Sequence, residues 1–526
     1  DMVVSKYFRE NAQLGNRDRA LIAEATFAIL RRKLELSQYA QSGNGSLFRR
    51  IGLLGLMIAL SEGGLGSGSR FESALADLAF VAHPGEVEWL QRFVTYPRDS
   101  LSPVIRVNLP DWLWAELSSQ VGETERQLLA EALMKPAYLD CRINPMKVKR
   151  EDLLEQMNAL GGRYQSIPTP HSELGFRMLG KPALQKLTSF KDGQFEVQDE
   201  GSQLLSMLLA PKRGEMVVDF CAGAGGKTLA LGAMMKSMGR LYAFDISARR
   251  LAKLKPRVAK SGLSNVHPVW IDSENDTKVK RLAGKIDRVL VDSPCSGLGT
   301  LRRNPDLKWR QTLQSVAELQ AKQFSILTAA AKLLKVGGRL VYATCSILKQ
   351  ENQEIIEAFL KIHPEFELLD PKVVLTAPFP RQNDLPIGAS VDSFFWQLWP
   401  HQHETDGFFA AILQRRPNPL DPSKKSKLLA LESDYDPRFA NTNVPWEEDT
   451  VIRQLANSLL MNNKDLSRSN VYGNFNPDVG QAGVFPKASG NTALADEMNS
   501  MEKQAMINLL AVKGGARKDF ARDTSE

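Results

Sequence analysis

Two cysteines that follow predicted buried strands are the residues of this chain best suited to chemistry. Cys295 lies in the sequence DRVLVDSPCSG and Cys345 in GGRLVYATCS, each after an apolar run. A thiolate is a strong nucleophile that can add to an electron-poor ring carbon. Both motifs lie downstream of a glycine-rich turn in a strand–helix pattern. This combination indicates methyl transfer to a ring carbon that does not react unaided.

The motif around Cys295 indicates which ring receives the methyl group. Asp292-Ser-Pro-Cys is similar to the Asp-Pro-Pro-Tyr type of motif that amino-group methyltransferases place beside a base, with a thiol in place of the aromatic residue. Cytosine C5 cannot attack a methyl group until a nucleophile adds to C6, and a thiolate suits that addition. The C5 proton must then leave, which gives a second group a use. Either cysteine alone could instead be a buried structural residue.

The glycine-rich turn Cys221-Ala-Gly-Ala-Gly-Gly-Lys227 joins the predicted strand MVVDF to a helix. Its glycines let the backbone approach a ligand closely, and N–H groups at the helix start can meet a polar one. Gly226-Lys227-Thr228 also resembles a phosphate-binding loop with Asp292 as its magnesium partner. That loop requires glycine at position 221, where this chain has cysteine. The phosphate-loop alternative is therefore the weaker one.

Acidic residues end three of the predicted strands. Asp245 closes the strand after the glycine turn, about 20 residues on, where a βαβ nucleotide site holds ribose hydroxyls. Asp272 and Asp292 end the next two strands. A lone acid at a strand end could equally cap a helix, but three of them favour an adenosine-type ligand. S-adenosylmethionine fits this architecture.

Strands alternate with helices over residues 194–416, which predicts a parallel sheet covered on both faces. In such sheets ligands bind beyond the carboxyl ends of the strands, where all of these residues would lie. Residues 1–136 are predicted to form a separate helical domain with Asn16 as a helix cap, and residues 137–193 a small α+β module. Residues 417–526 are predicted to form a loosely ordered polar extension.

Composition restricts the partners. The net charge is +7 and the pI about 9.0, and the basic residues are clustered, which favours a polyanionic partner. Any one cluster could instead be a solvated helix face. The clusters are Arg17 with Arg19, Arg31 to Lys33, Arg49 with Arg50, Lys253 to Lys260, Lys278 to Arg281, and Arg302 with Arg303.

Neither a metal nor a membrane is expected. The four cysteines include no CxxC pair and no neighbouring histidines, so neither a zinc site nor a disulfide framework is indicated. The apolar run from Ile51 to Leu60 is too short to span a bilayer, and the N-terminus does not resemble a signal peptide. We therefore expect a cytoplasmic protein.

The stretch from Gly297 to Trp309 contains glycines, two arginines and an aromatic residue. This mixture suits the binding of an unstacked base and its phosphates. It would also be unremarkable as a surface loop.

With these motifs the sequence resembles the bacterial RsmB/NOP (Sun) family of RNA cytosine-C5 methyltransferases over about residues 1–415. The resemblance rests on QDEGSQ, CAGAGGK, DSPCSG, RRNPDLKW, ATCS and DGFF. LGNRDRALIAEATFAILRR resembles an RNA-binding domain related to the antitermination protein NusB, and RINPMK the family's small domain. The resemblance implies a class I S-adenosylmethionine-dependent methyltransferase: a Rossmann-like α/β fold with a mostly parallel sheet, preceded by an all-helical NusB-like domain and a small α+β module.

The resemblance also implies roles for the site residues. Cys345 would be the nucleophile, Cys295 would assist release, and Asp292 would bind the cytosine edge near N3 at the border of the cofactor site. S-adenosylmethionine would be held by the turn residues, with Asp245 at its ribose, Asp272 at its adenine and Arg250 as a further contact. The turn residues are Cys221, Ala222, Gly223, Ala224, Gly225, Gly226 and Lys227.

The expected function is methylation of cytosine C5 in RNA, with small-subunit ribosomal RNA as the substrate and the enzyme acting as a monomer. The base must leave its stack to be reached. Two alternatives stay open at this point: a transfer RNA substrate, and a non-catalytic RNA-binding factor of ribosome assembly.

Overall fold

The computed structural model describes residues 2–61, 69–376 and 394–417. They form two compact units. The first consists of residues 2–136 together with Thr300–Gln311, and the second of Ala137–Gly299 with the described residues from Thr312 onward. The predicted polar extension, residues 417–526, lies outside the described residues except for Pro417.

Helices around an apolar core build the first unit. They are α1 (Met2–Glu10), α2 (Asn16–Arg31), α3 (Lys33–Ala40), α4 (Leu47–Leu60), α5 (Ser69–Ala79), α6 (Pro84–Arg92), α7 (Pro103–Val107), α8 (Asp111–Ser118) and α9 (Glu123–Met134). Ile22 and Ile29 of α2 are buried in the same cluster as Leu54 and Met57 of α4. The apolar run from residue 51 to 60 is thus a core helix. Among the described helices, none is long and apolar enough to cross a membrane.

The start of α2 differs from the prediction by one residue. Asn16 is the first helical residue, and the cap position is Gly15. The Gly15 N–H donates a hydrogen bond to the Asp18 carboxylate at 2.9 Å. The capping interaction therefore comes from Asp18 rather than from Asn16.

A small antiparallel sheet with strand order β2-β3-β1-β4 opens the second unit. Its elements are β1 (Leu139–Ile143), α10 (Arg150–Leu160), β2 (Ser166–Pro168), β3 (Gly175–Met178), α11 (Thr188–Lys191) and β4 (Phe195–Val197). Val197 of β4 pairs with Cys141 of β1. The small sheet therefore extends past the predicted boundary at residue 193. The sequence did not indicate this, because a strand of three residues shows no periodicity and is recognised only by its pairing with β1.

The larger sheet has eight strands in the order β10-β12-β9-β8-β5-β6-β7, with β11 paired to β12. The pairs among β5 to β9 are parallel, and those made by β12 are antiparallel. The strands are β5 (Met216–Asp219), β6 (Arg240–Asp245), β7 (Val266–Trp270), β8 (Ile286–Asp292), β9 (Leu334–Thr344), β10 (Phe366–Leu368), β11 (Phe395–Leu398) and β12 (Phe408–Arg415).

Helices connect these strands and cover both faces of the sheet. They are α12 (Glu200–Leu209), α13 (Gly226–Met234), α14 (Ala248–Ser261), α15 (Thr277–Lys280), α17 (Leu313–Ala331), α18 (Gln353–Ile362), α19 (Pro371–Thr376) and α20 (Pro400–His403), while α16 (Leu307–Arg310) belongs to the first unit. Val217 and Leu290 are fully buried with α12 and α13. Val218 and Val289 are fully buried with α17 and α18. Burial on both faces explains the continuous apolar runs of the central strands.

The strand order reverses direction between β5 and β8, which makes this the switch point of the sheet. The chain builds β5, β6 and β7 outward on one side, and then β8 and β9 on the other. Ligands bind beyond the carboxyl ends of the strands at such a point. Asp219, Asp245 and Asp292 are the last residues of β5, β6 and β8.

The segment that contains α16 packs inside the first unit. The Trp309 indole N–H donates to the backbone oxygen of Leu30 at 2.7 Å, and the Lys308 ammonium donates to that of Arg31 at 2.9 Å. These are the last carbonyls of α2, which have no partner within their own helix. Burial, and then the charge of Arg31, lowers the pKa of Lys308 to about 7.

These contacts correct one prediction. The sequence of residues 297–309 suggested two arginines and an aromatic residue available to a base. The Trp309 indole N–H instead donates to the end of α2, and Arg302 is buried, so the prediction is wrong for these two residues. A sequence pattern does not distinguish an indole that stacks on RNA from one that donates to a helix end.

The buried centre of the larger sheet yields a stability prediction. We expect Leu290→Ala to lower the free energy of unfolding by about 2–5 kcal/mol, because the deleted methyl groups leave a cavity in a fully packed layer. Urea denaturation followed by circular dichroism measures the change. The matched control is Leu313→Ala, whose side chain is exposed at the start of α17. An equal loss for both variants would contradict the assigned core.

Candidate active site

The glycine-rich turn of residues 221–227 lies between the end of β5 and the start of α13. Gly223 and Gly225 have left-handed backbone angles, with φ of 59° and 88°, which glycine adopts without strain. A Cβ atom at Gly225 would overlap the Leu254 side chain. At Gly223, nothing in the described part of the chain lies within 4 Å of that position. The turn therefore leaves its backbone open at Gly223, as ligand binding requires.

Asp245 holds this turn from the neighbouring strand. Its carboxylate is buried and accepts hydrogen bonds from the Gly223 N–H at 2.8 Å and from the Ser247 N–H at 2.7 Å. Arg250, on α14, reaches the same carboxylate at 3.3 Å while its own side chain is half exposed. The structure thus places Arg250 at the predicted edge, where its charge pairs with Asp245.

Asp272 lies at the same edge, beyond β7. Asp245 is in register with Trp270, so Asp272 follows two residues later. Its side chain is exposed, and its backbone N–H donates to the Asp276 carboxylate at 2.9 Å. Asp245 and Asp292 end their strands as predicted, whereas Asp272 lies two residues past the end of β7 in an exposed turn rather than closing the strand.

Lys227 connects the glycine turn to the loop that carries Cys295. Its ammonium lies 2.7 Å from the Asp292 carboxylate. Burial by itself lowers the pKa of Lys227, but the charge of Asp292 and its hydrogen bond outweigh burial, so the pKa is raised. The neighbouring Thr228 hydroxyl donates to Asp219 at 2.6 Å. The two side chains that a phosphate loop would use both contact carboxylates, which argues against that alternative.

The two predicted thiols are adjacent, with 3.3 Å between the sulfur atoms of Cys295 and Cys345. Backbone hydrogen bonds tie their loops together: Ser293 N–H donates to the Ala343 oxygen at 2.8 Å, and Gly299 N–H to the Cys345 oxygen at 2.9 Å. The hydrogen bond to Cys345, and then burial, raises the pKa of the Cys295 thiol well above its ordinary value. The site thus holds two thiols in direct contact.

The two remaining cysteines play a different part. Burial, and then the charge of Asp292, raises the pKa of Cys221 well above its ordinary value, and Cys141 is fully buried in β1. Cys221 is therefore not suited to act as a thiolate. Among the described residues, no group of three or more His, Cys, Asp or Glu side chains is arranged to hold a metal ion.

Asp219 is a site residue that the sequence reasoning missed. It is fully buried at the end of β5, and one of its carboxylate oxygens has no partner among the described residues. Burial raises its pKa to about 7, although the hydrogen bond from Thr228 acts in the opposite direction. The strand-end position that drew attention to Asp245 and Asp292 would have identified Asp219 as well.

The raised pKa of Asp219 makes stability depend on pH. Between its ordinary pKa of 3.8 and about 7, the folded protein keeps a proton that the unfolded chain has lost. The stability that this proton contributes is therefore lost as the pH rises through that window. We expect the Tm of Asp219→Asn to fall less steeply with rising pH there than the wild-type Tm, measured by differential scanning fluorimetry. Asp192→Asn, at an exposed site, is the control and should follow the wild type. Parallel curves for Asp219→Asn and wild type would contradict the assignment.

Comparison with known proteins adds the family. Residues 206–414 match the family described as 16S rRNA methyltransferase RsmB/F. The chain is 36% identical over 312 residues to the probable ribosomal RNA small subunit methyltransferase B of Synechocystis sp., which covers 59% of this chain and 67% of that protein. It is 34% identical over 313 residues to ribosomal RNA small subunit methyltransferase B of Yersinia pseudotuberculosis, with 59% and 69% covered.

Solved structures agree with this result. A methyltransferase homolog protein from Pyrococcus horikoshii is 28% identical with a TM-score of 0.50, covering 60% of this chain and 100% of that one. The protein designated PH0851 is 26% identical with a TM-score of 0.60, covering 76% and 90%. Family and fold confirm the predicted class I methyltransferase with S-adenosylmethionine as its cofactor. The chain therefore belongs to the RsmB/F family of RNA methyltransferases.

Proposed function

We propose that the protein transfers a methyl group from S-adenosylmethionine to C5 of a cytosine in RNA, through a covalent adduct between a cysteine and C6. The observation that carries the proposal is the distance of 3.3 Å between the sulfur atoms of Cys295 and Cys345. Methylation of an oxygen or an amino nitrogen needs no thiol nucleophile, whereas methylation at C5 needs one at C6. The thiol pair also argues against a non-catalytic RNA-binding factor.

The residues at this edge of the sheet fit the cofactor. The open backbone at Gly223 and the start of α13 suit its polar amino-acid end. Asp245 can accept hydrogen bonds from ribose hydroxyls through its remaining lone pairs, and Asp272 follows the end of the neighbouring strand β7 by two residues, where we place the adenine. Arg250 would act next to the ribose through its ion pair with Asp245. When bound, the cofactor supplies an electrophilic methyl group.

The reaction would begin with addition of the Cys345 thiolate to C6. The new S–C6 bond takes electrons from the thiolate, and the former C5–C6 double-bond electrons make C5 nucleophilic. We assign to Asp292 the hydrogen bond to the N3 edge of the base. Lys227, 2.7 Å from Asp292, supplies positive charge beside the electrons that accumulate there.

Release requires a base. After C5 has accepted the methyl group, its proton must leave so that the C5–C6 double bond re-forms and the Cys345 sulfur departs as a thiolate. We assign assistance in this step to Cys295. Its sulfur lies 3.3 Å from that of Cys345, so as a thiolate it can accept the C5 proton directly at the adduct. The choice of Cys345 as nucleophile rests on the family resemblance.

The relatives' names favour one RNA over the other candidates. Both curated relatives are named as ribosomal RNA small subunit methyltransferase B, so we propose small-subunit ribosomal RNA as the substrate, with transfer RNA as the alternative. Cytoplasmic location and a monomeric state stay predictions.

Helix α14 offers a surface for the RNA backbone. It contains six basic residues and no acidic one. Arg257 and Lys260 pair with Glu196 of the small sheet, whereas Arg249, Lys253 and Lys255 are exposed. Helix α14 begins at Ala248, three residues after Asp245. We assign this exposed basic face to the phosphates of the substrate strand.

The thiol assignments predict different outcomes for the two alanine variants. With RNA and S-adenosylmethionine, Cys295→Ala should accumulate a protein–RNA adduct on a denaturing gel, because addition proceeds and release is slowed. Cys345→Ala should give no adduct and should lose C5 methylation by roughly three orders of magnitude or more, as is typical when a covalent nucleophile is removed. Sequencing the RNA from the retarded band identifies the substrate and tests the transfer RNA alternative.

Cys141→Ala is the matched control, since Cys141 lies in the small sheet away from the thiol pair. It should methylate RNA and trap no adduct. An adduct in Cys345→Ala but not in Cys295→Ala would exchange the two roles. Absence of both an adduct and methyl transfer in all variants and in the wild type would remove the proposed function.

Charge reversal tests the basic face of α14. We expect Lys253→Glu/Lys255→Glu to weaken RNA binding about tenfold or more at 0.1 M salt and to reduce the slope of log K against log salt by roughly 1.4, for two phosphate contacts on a single strand. Filter binding measures both values. Lys285→Glu/Lys361→Glu changes the net charge equally at two other exposed lysines and should bind almost normally. Equal weakening in both pairs would mean that only net charge matters.

A further inference from the structure

A fully buried carboxylate, that of Glu351, lies directly beneath the two thiol loops. Glu351 ends the short 3-10 turn Lys349–Glu351 that follows β9. One of its carboxylate oxygens accepts hydrogen bonds from the Ser296 N–H at 2.8 Å and from the Gln323 amide at 2.9 Å. The other accepts from the hydroxyls of Ser296 and Ser346, each at 2.5 Å.

The two serines are the residues that immediately follow the two reactive cysteines. Ser296 follows Cys295, and Ser346 follows Cys345. Their hydroxyl oxygens are 3.2 Å apart, beside sulfur atoms that are 3.3 Å apart. One carboxylate therefore joins the loop after β8 to the loop after β9 at the position next to each thiol.

Neighbouring side chains hold Glu351 and these loops in turn. The Gln323 amide also donates to the Pro294 oxygen at 3.0 Å, and the Tyr342 hydroxyl donates to the Glu351 backbone oxygen at 2.7 Å. The Asn352 side-chain amide donates to the backbone oxygen of Ser346 at 3.1 Å. A buried carboxylate is costly unless its oxygens are hydrogen-bonded, and here four neutral donors meet it. Such a network stabilises one arrangement of the loops.

We propose that Glu351 is a positioning residue that sets the separation of the Cys295 and Cys345 sulfur atoms by binding the serine next to each. The inference rests on the proposed function for its catalytic meaning, because addition by one thiol and release assisted by the other require both sulfurs at the same base. The thiol spacing itself is a property of the protein alone. It is therefore measurable without RNA or cofactor.

Chemistry that needs two thiols at once provides the measurement. Phenylarsine oxide, a trivalent arsenical, forms two As–S bonds with a pair of close thiols, and its oxygen leaves as water with the two thiol protons. We expect the wild type to bind one equivalent tightly through Cys295 and Cys345. Cys295→Ala and Cys345→Ala each leave one thiol of the pair and should bind much more weakly.

Two substitutions of Glu351 separate geometry from charge. Glu351→Ala removes all four hydrogen bonds and should weaken arsenical binding about tenfold or more, because the two loops lose the carboxylate that joins them. Glu351→Gln keeps the shape, and its amide can still meet the serine hydroxyls, so it should restore most of the affinity. Glu357→Ala, at an exposed site on α18, is the control and should bind as the wild type does.

A second set of variants covers loss of folding. Ser296→Ala/Ser346→Ala removes only the two hydroxyls, keeps the carboxylate, and should weaken arsenical binding in the same direction. If circular dichroism shows that Glu351→Ala is unfolded, the arsenical affinity of the double serine variant tests the proposal instead. Unchanged arsenical affinity in the folded variants, or a wild type that binds no more tightly than the single-cysteine variants, would overturn the proposal.

Activity measurements connect spacing to catalysis. For methyl transfer to RNA, Glu351→Ala should lower kcat about 100-fold, as misplacement by about 1 Å can, while the KM for S-adenosylmethionine stays near the wild-type value. Glu351→Gln should recover most of the loss. If the arsenical results are as expected but the wild type does not methylate cytosine, the proposed function fails and the positioning role of Glu351 stands. Normal kcat in Glu351→Ala would overturn the positioning role.

Discussion

The parallel alignment of β5 to β9 is the constraint on which the site depends. Parallel strands carry their carboxyl ends to a single edge, so residues far apart in sequence become neighbours there. Lys227 and Asp292 are 65 residues apart and form an ion pair, and Cys295 and Cys345 are 50 residues apart and in contact. The pairing of the strands therefore brings residues that are distant in sequence close together, and short loops are enough to place their side chains in contact.

An ionisable group that is buried at this edge must have an ion-pair partner or hydrogen-bond donors, or must be neutral, because an isolated buried charge is unfavourable. Asp292 has the ammonium of Lys227, Asp245 has backbone N–H groups and Arg250, and Glu351 has four neutral donors. Asp219 differs, because its raised pKa lets it keep its proton near neutrality. The thiols thus lie among polar groups that are stabilised by an ion pair, by hydrogen bonds or by a retained proton.

Much of this arrangement could be predicted from the sequence, and the rest depends on contacts that no local pattern contains. Strand ends, the glycine turn and the identity of the thiols follow from apolar runs and from residue chemistry. The distance between the thiols and the pairing of Lys227 with Asp292 depend on which strands are neighbours in the sheet. Glu351 was missed because nothing in the letters KQENQE distinguishes a buried carboxylate from an exposed one.

The incorrect prediction within residues 297–309 has the same cause. Glycines, arginines and a tryptophan indicate a nucleic-acid loop on composition alone, and the hydrogen bonds to Leu30 and Arg31 become visible only in three dimensions. Within the described residues the chain therefore passes between its two units three times, after residues 136, 299 and 311. A protein without the helical unit would leave Trp309 and Lys308 without their acceptors. Residues 300–311 belong to the helical unit but are encoded within the methyltransferase sequence, so a substitution at the end of α2 acts on a segment that lies far from it in the gene.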